Sequence, residues 1–226
     1  MTVAHALVSA HSQGLLASPE LLLFDLDGVL MDTLPVMKSA WAEVQSELGV
    51  RVPFEAYAKH LGRPFADILV LLGLERIKGL ADTYIAASTR NSHLARPFPG
   101  IEETLHTIAR TGCRLGVVTS KSAQRASPLL EQLGVPFCAL RTPGPERGKP
   151  SPDTLLMALV DAGTDPADAC YVGDMAVDQE AARRAGLRYA HAGWGYGTPA
   201  EPLPIVLREP QELVRLVFTG APESRA

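Results

Sequence analysis

The chain has only three cysteines in 226 residues, no block of like charge, and no apolar run long enough to cross a bilayer. Each shortage narrows the field. Cys113, Cys138 and Cys170 are far apart, odd in number and without metal-site spacing, so they read as buried small apolar side chains. The 21 Lys and Arg residues are scattered against 25 Asp and Glu, a formal net charge of -4. That balance argues against a nucleic-acid footprint. No segment nears the roughly 18 apolar residues of a membrane span. Residues 1–18 lack the basic start of a secretory signal, and His, Ser and Gln break their apolar stretch. They are expected to be a flexible tail, and the protein to be cytoplasmic. No heptad or long exposed apolar stripe fixes an oligomeric state, and a monomer or small homo-oligomer is expected.

What the chain does have is a series of short runs apolar on both parities, at 21–24, 115–118, 137–140, 170–172, 189–192 and 205–207. Such runs suit central strands buried on both faces. Helical patterns lie between them. One is marked by Ile101, Leu105, Ile108 and Ala109; another opens at Ser151-Pro152, with serine as N-cap; a third ends at Gly186. The alternation predicts an α/β, doubly wound parallel sheet of Rossmann-like type. Residues 34–97 break the pattern, with no convincing strand. Val36, Met37, Ala40, Trp41, Val44 and Leu48 form one helical stripe there, and Phe54, Tyr57, Ala58 and Leu61 another. The expected organisation is an α/β core at 19–33 and 98–226, with a small α-helical cap at 34–97 inserted after the first strand.

Four polar clusters follow predicted strands or open predicted helices, on the edge where open α/β sheets bind ligands. Asp25-Leu26-Asp27-Gly28 puts two carboxylates on one side of the first strand's end, a costly arrangement without a cation or proton between them. Its ordinary reading is an acidic turn in which Gly28 supplies a positive φ. Thr119-Ser120-Lys121-Ser122 offers hydroxyls and N–H groups that either hold phosphate oxygens or cap a helix. Lys149, before Pro150, is either a neutraliser of bound phosphate or a solvated lysine. Gly173-Asp174-Met175-Ala176-Val177-Asp178 offers carboxylates that suit magnesium or cap a helix.

In this order the four clusters resemble the haloacid dehalogenase superfamily, in its phosphoglycolate-phosphatase-like branch. Members carry Asp-x-Asp-Gly-(Val/Thr), then a Thr or Ser, then Lys-Pro and Gly-Asp-x-x-x-Asp. The helical insert resembles their cap, Pro97-Phe98-Pro99-Gly100 the return to the core, and Trp194-Gly195-Tyr196-Gly197 a late loop. The resemblance spans roughly residues 20–218. It implies a phosphatase acting on a small-molecule phosphate monoester, with Asp25 as nucleophile and Asp27 as general acid and base. It also implies Mg2+ held by Asp25, the backbone carbonyl of Asp27, and Asp174, with Asp178 in support. Thr119, the N–H of Ser120, and the catalytic Lys149 would hold phosphoryl oxygens. Ser120 stands where many members carry Asn, a change that the backbone contact survives.

Within that resemblance, Asp27 argues against carbon-attacking dehalogenation and against a phosphonatase using a cap lysine such as Lys38 or Lys59. A β-phosphoglucomutase-like phosphomutase is the nearer alternative. It would place His five residues after Asp32, where this chain has Met37, and Glu-Asp where this chain has Gly173-Asp174. A non-catalytic domain binding a phosphate ligand or a protein remains as a reading of another class. Arg63, in a cap loop, either reads a second anionic group on the substrate or is an ordinary exposed arginine. Trp194 and Tyr196 are read as packing residues.

Overall fold

The computed structural model describes residues 18–200 and 205–218. The expected tail therefore lies almost wholly outside the described residues. The chain enters the fold through β1 (Leu21–Phe24), then β2 (Met31–Asp32), and turns into four helices: α1 (Leu34–Leu48), α2 (Phe54–Ala58), α3 (Phe65–Leu71) and α4 (Leu80–Arg90). It returns through β3 (Arg96–Pro97) into α5 (Ile101–Ala109), β4 (Arg114–Val118), α6 (Ala123–Glu131) and β5 (Ala139–Arg141). The last stretch runs through α7 (Asp153–Ala162), β6 (Ala169–Gly173), α8 (Ala176–Ala185), β7 (Arg188–Ala192), β8 (Val206–Leu207) and α9 (Val214–Phe218).

Six strands form one parallel sheet in the order β5-β4-β1-β6-β7-β8. β1 sits inside it, and all four of its side chains are fully buried. The pleat divides them. Leu22 and Phe24 join a cluster with Leu105 of α5 and Leu129 of α6, while Leu21 and Leu23 join Leu155 of α7 and Ala182 of α8. Burying each such side chain contributes about 1.5–3 kcal/mol. Both faces of the sheet are thus covered, which is why its strands read as unbroken apolar runs. With the central strand pinned, residues 25 onward emerge at one fixed place on the carboxyl edge.

The helices α1 to α4 build a hydrophobic cluster of their own. At its centre Trp41 is fully buried, stacks on Tyr57 at 4.6 Å between ring centroids, and donates its indole N–H to the Val52 carbonyl at 2.9 Å. Trp41→Ala is therefore expected to destabilise the protein by about 3–5 kcal/mol through the cavity it leaves. Thermal unfolding checks this, and an unchanged Tm would contradict it.

Several sequence-based expectations need correction. A two-stranded antiparallel ribbon pairs Met31 with Pro97 and Asp32 with Arg96 at the foot of the helical insert. Two residues per strand carry no periodicity, so nothing in the pattern of 34–97 revealed β3. Cys138 is exposed, unlike Cys113 and Cys170, because it precedes β5 at the sheet's edge. Pro152, not Ser151, is the N-cap of α7, and the Ser151 hydroxyl donates instead to the Asp153 carboxylate at 2.7 Å. No helix among the described residues is long and apolar enough to cross a membrane.

Candidate active site

The carboxyl ends of β1 and β6 lie side by side, and the acids that follow them converge. Asp25 is anchored by its own N–H on the Val172 carbonyl at 2.9 Å. Its Oδ1 accepts the Leu26 N–H at 2.8 Å, and its Oδ2 lies 3.0 Å from the Lys149 ammonium. Lys149 is 1% exposed, so the solvated alternative fails. It also reaches Asp178 Oδ1 at 2.7 Å and the Tyr171 hydroxyl at 3.1 Å. Asp178 sits in the first turn of α8, where its Oδ2 accepts the Met175 N–H at 2.9 Å. Capping and site-building are one role here: the bond that starts the helix also aims Asp178 at Lys149.

Asp174 completes the cluster. Its Oδ2 accepts the Tyr196 N–H at 2.7 Å, while its Oδ1 is buried with no hydrogen-bond partner among the described residues. One carboxylate oxygen each from Asp25, Asp174 and Asp178 falls within a 4.8 Å spread. Burial pushes the Asp25 carboxyl up to about 7, against the pull of Lys149 and with added repulsion from Asp178 and Asp27. Burial likewise raises Asp174, helped by Asp178 and Asp25. Burial alone would lower Lys149, but Asp178 and Asp25 hold its ammonium above the usual lysine range. With one ammonium against three buried carboxyl groups, the remaining charge must be met by protons or by a cation.

A divalent cation fits this cluster. Hard oxygen ligands converge, one of them has an unused buried oxygen, and the backbone makes room. Gly28 has φ 84, and a Cβ there would lie 2.3 Å from Asp174 Oδ2. A Cβ on Gly195 would lie 2.3 Å from the Asp174 Cβ. Both glycines permit the close approach of loops around Asp174.

Asp27 faces the same cleft with different partners. Its Oδ1 accepts the Thr33 hydroxyl at 2.5 Å and lies 3.1 Å from the Lys121 ammonium. β1 stops at Phe24, and the next turn is closed by the Leu30 and Met31 N–H groups on the Leu26 carbonyl. Asp27 lines the same cleft as Asp25 but stays outside the three-carboxylate cluster. Thr119 is buried, its Oγ1 accepting the Lys121 N–H at 3.1 Å. Ser120 spends its hydroxyl on the Gly62 carbonyl at 2.6 Å, tying the β4–α6 loop to the helical insert. Arg63, next in the chain, is half-buried along the cleft, and its guanidinium makes no hydrogen bond or ion pair among the described residues.

Apolar side chains of the insert, Met37, Leu61, Phe65 and Ile68, roof this cleft. Trp194 and Tyr196 act as structural fasteners. The Trp194 indole donates to the Val29 carbonyl at 2.9 Å, and the Tyr196 hydroxyl accepts the Thr33 N–H at 2.6 Å. Tyr196 also lines the cleft. Thr33, Lys121 and Tyr171 were not singled out from sequence. Lys121, two residues after Thr119, was the one with a local signal; Tyr171 looked like any buried strand residue.

Residues 22–192 match the family model described as haloacid dehalogenase-like hydrolase. The chain belongs to this family. Among curated relatives of this hydrolase, phosphoglycolate phosphatase of Xylella fastidiosa is 34% identical, covering 80% of this chain and 82% of its own. N-acetylmuramic acid 6-phosphate phosphatase of Pseudomonas aeruginosa is 28% identical over 85% of this chain and 92% of its own. Among solved structures, a Lactobacillus plantarum protein described as a phosphoglycolate phosphatase shares the fold with a TM-score of 0.79, at 22% identity over 88% of this chain and 99% of its own. Rhodobacter sphaeroides CbbY, solved with xylulose-(1,5)bisphosphate, aligns with a TM-score of 0.74 and 26% identity over 88% of this chain and 99% of its own.

Proposed function

We propose that this hydrolase is a magnesium-dependent phosphatase that cleaves a small-molecule phosphate monoester through an aspartyl-phosphate on Asp25. The observation that carries the reading is the convergence of Asp25, Asp174 and Asp178 around one buried point, with Lys149 bridging two of them. Phosphatase names among the relatives support the same class.

A carboxylate oxygen of Asp25 would attack phosphorus as the bond to the leaving oxygen breaks, and Asp27 would hand its proton to that oxygen. Asp27 would then take a proton from water, which attacks the same phosphorus, releasing inorganic phosphate and restoring Asp25. Thr33 and Lys121, both bonded to Asp27, would hold its side chain on the leaving-group side. The Thr119 hydroxyl, the Ser120 N–H and Lys149 would bind the phosphoryl oxygens, where fixed donors matter most. With its hydroxyl on Gly62, Ser120 offers only its N–H. Asp25, Asp174 and the Asp27 carbonyl would hold Mg2+, with Asp178 orienting Lys149 beside it. When bound, the ion supplies charge neutralisation for the carboxylates and the phosphoryl group.

Met37 on the cleft wall favours hydrolysis over mutase chemistry, since it offers no proton-transferring group. The test is a panel of phosphorylated metabolites with Mg2+ or with chelator. Phosphate release that needs Mg2+ is expected, and isomerised sugar phosphate without release would favour the mutase instead. Phosphoglycolate, named for several relatives, belongs on the panel.

Arg63 would read an anionic part of the substrate from the cap side. Arg63→Ala is expected to raise KM for an anionic-tailed substrate about tenfold more than for a neutral-tailed one. Steady-state kinetics check this, and an equal change for both would remove Arg63 from the site.

A further inference from the structure

A second guanidinium enters the cleft from the core, outside the four motifs. Arg125 lies in the first turn of α6, Lys121 in the loop just before it, and both line the cleft. Lys121 is committed to Asp27, but Arg125 has no carboxylate partner among the described residues. Its Nη1 donates to the Ser88 hydroxyl of α4 at 3.2 Å, and its Nε to the Ser122 hydroxyl at 3.4 Å. A half-buried cation satisfied only by neutral hydroxyls keeps its charge available.

Beside it stands an incomplete hydrogen-bond pair. The hydroxyls of Tyr57 and Tyr84 lie 2.8 Å apart, both residues are buried, and both line the cleft. Only one can donate to the other. The remaining phenolic hydrogen has no acceptor among the described residues. Burial raises both phenols, Tyr84 to about 12, while the charge of Arg125 draws them down and that of Asp27 adds to the rise. Both phenols are therefore within electrostatic reach of the leaving-group side.

We propose that Arg125 and the Tyr57–Tyr84 hydroxyl pair form the subsite that receives an anionic oxygen group on the leaving alcohol, making Arg125 a specificity determinant. This rests on the phosphatase reading. A guanidinium with no carboxylate partner among the described residues and a spare phenolic donor match a carboxylate or a second phosphate, and a neutral alcohol would leave both underused.

The test compares matched substrates: phosphoglycolate with hydroxyethyl phosphate for the carboxylate, and propanediol bisphosphate with propanediol monophosphate for the phosphate. The pair showing the larger preference identifies which anion the subsite takes. Wild type is expected to favour the anionic member of at least one pair. Arg125→Met is expected to shrink that preference about 10- to 100-fold, mainly through KM. Arg125→Gln, which keeps a donor for Ser88, is expected to lose the preference as well. Ser88→Ala, which frees the guanidinium without removing it, is expected to keep the preference, whereas a merely structural tie would lose it. Turnover without preference for either anion, or a preference that survives both Arg125 substitutions, overturns this inference alone. No wild-type turnover of any of the four, nor of p-nitrophenyl phosphate, overturns the phosphatase reading and the inference with it.

Discussion

Asp25→Asn is expected to lower Mg2+-supported phosphate release by roughly 10,000-fold or more, because it removes the attacking atom's charge. The expectation is specific because the substitution is otherwise mild. An amide oxygen still accepts the Leu26 N–H, and Lys149 keeps its 2.7 Å contact with Asp178. The cluster also sheds one of its mutually repelling buried charges, so the variant should fold with a Tm near or above wild type measured without metal. Phosphate release and thermal unfolding on the same preparation separate the two effects. A variant that folds and retains wild-type turnover would remove Asp25 from the chemistry.

The second large effect concerns Asp174. Asp174→Asn is expected to weaken Mg2+ activation by about 100-fold or more, since even residues behind the ligands of a metal typically cost about 10- to 100-fold. An independent readout is thermal. Without a cation, Asp25 and Asp174 hold protons in the folded state at pH values where the unfolded chain has lost them. A raised carboxyl stabilises the fold below its ordinary range, and that contribution fades as pH rises through about 7 for Asp25. Mg2+ competes with those protons. Its stabilisation should therefore be larger at pH 8 than at pH 5, and Asp174→Asn should largely abolish it. Equal Mg2+ shifts in wild type and variant would place the ion elsewhere.

Much of this site was legible because its acids follow buried strands. The runs that end at Phe24 and Val172 announce β1 and β6, and pairing those strands brings Asp25 to Asp174 without further information. Lys149 was harder, since a lysine before proline reads equally as solvated. Its burial depends on Tyr171 and Asp178, contributed by β6 and α8. The partners of Asp27 were not legible, because Thr33 and Lys121 reach it from other segments of the chain. Lys121, Arg125, Tyr57 and Tyr84 meet only where α6 packs against the helical insert. Sequence shows Arg125, Tyr57 and Tyr84 as ordinary helix residues, and Lys121 only as part of the polar loop before α6. Cys138 illustrates the same limit at the sheet's edge, where an apolar run does not guarantee burial.

The most direct measurement is to mix the Mg2+-loaded enzyme with a radiolabelled phosphate ester it hydrolyses, quench in acid within one turnover, and map the label. The account predicts a hydroxylamine-labile phosphoryl group on Asp25, absent from Asp25→Asn. Label on another residue, or rapid hydrolysis with no acid-stable label at all, would contradict it.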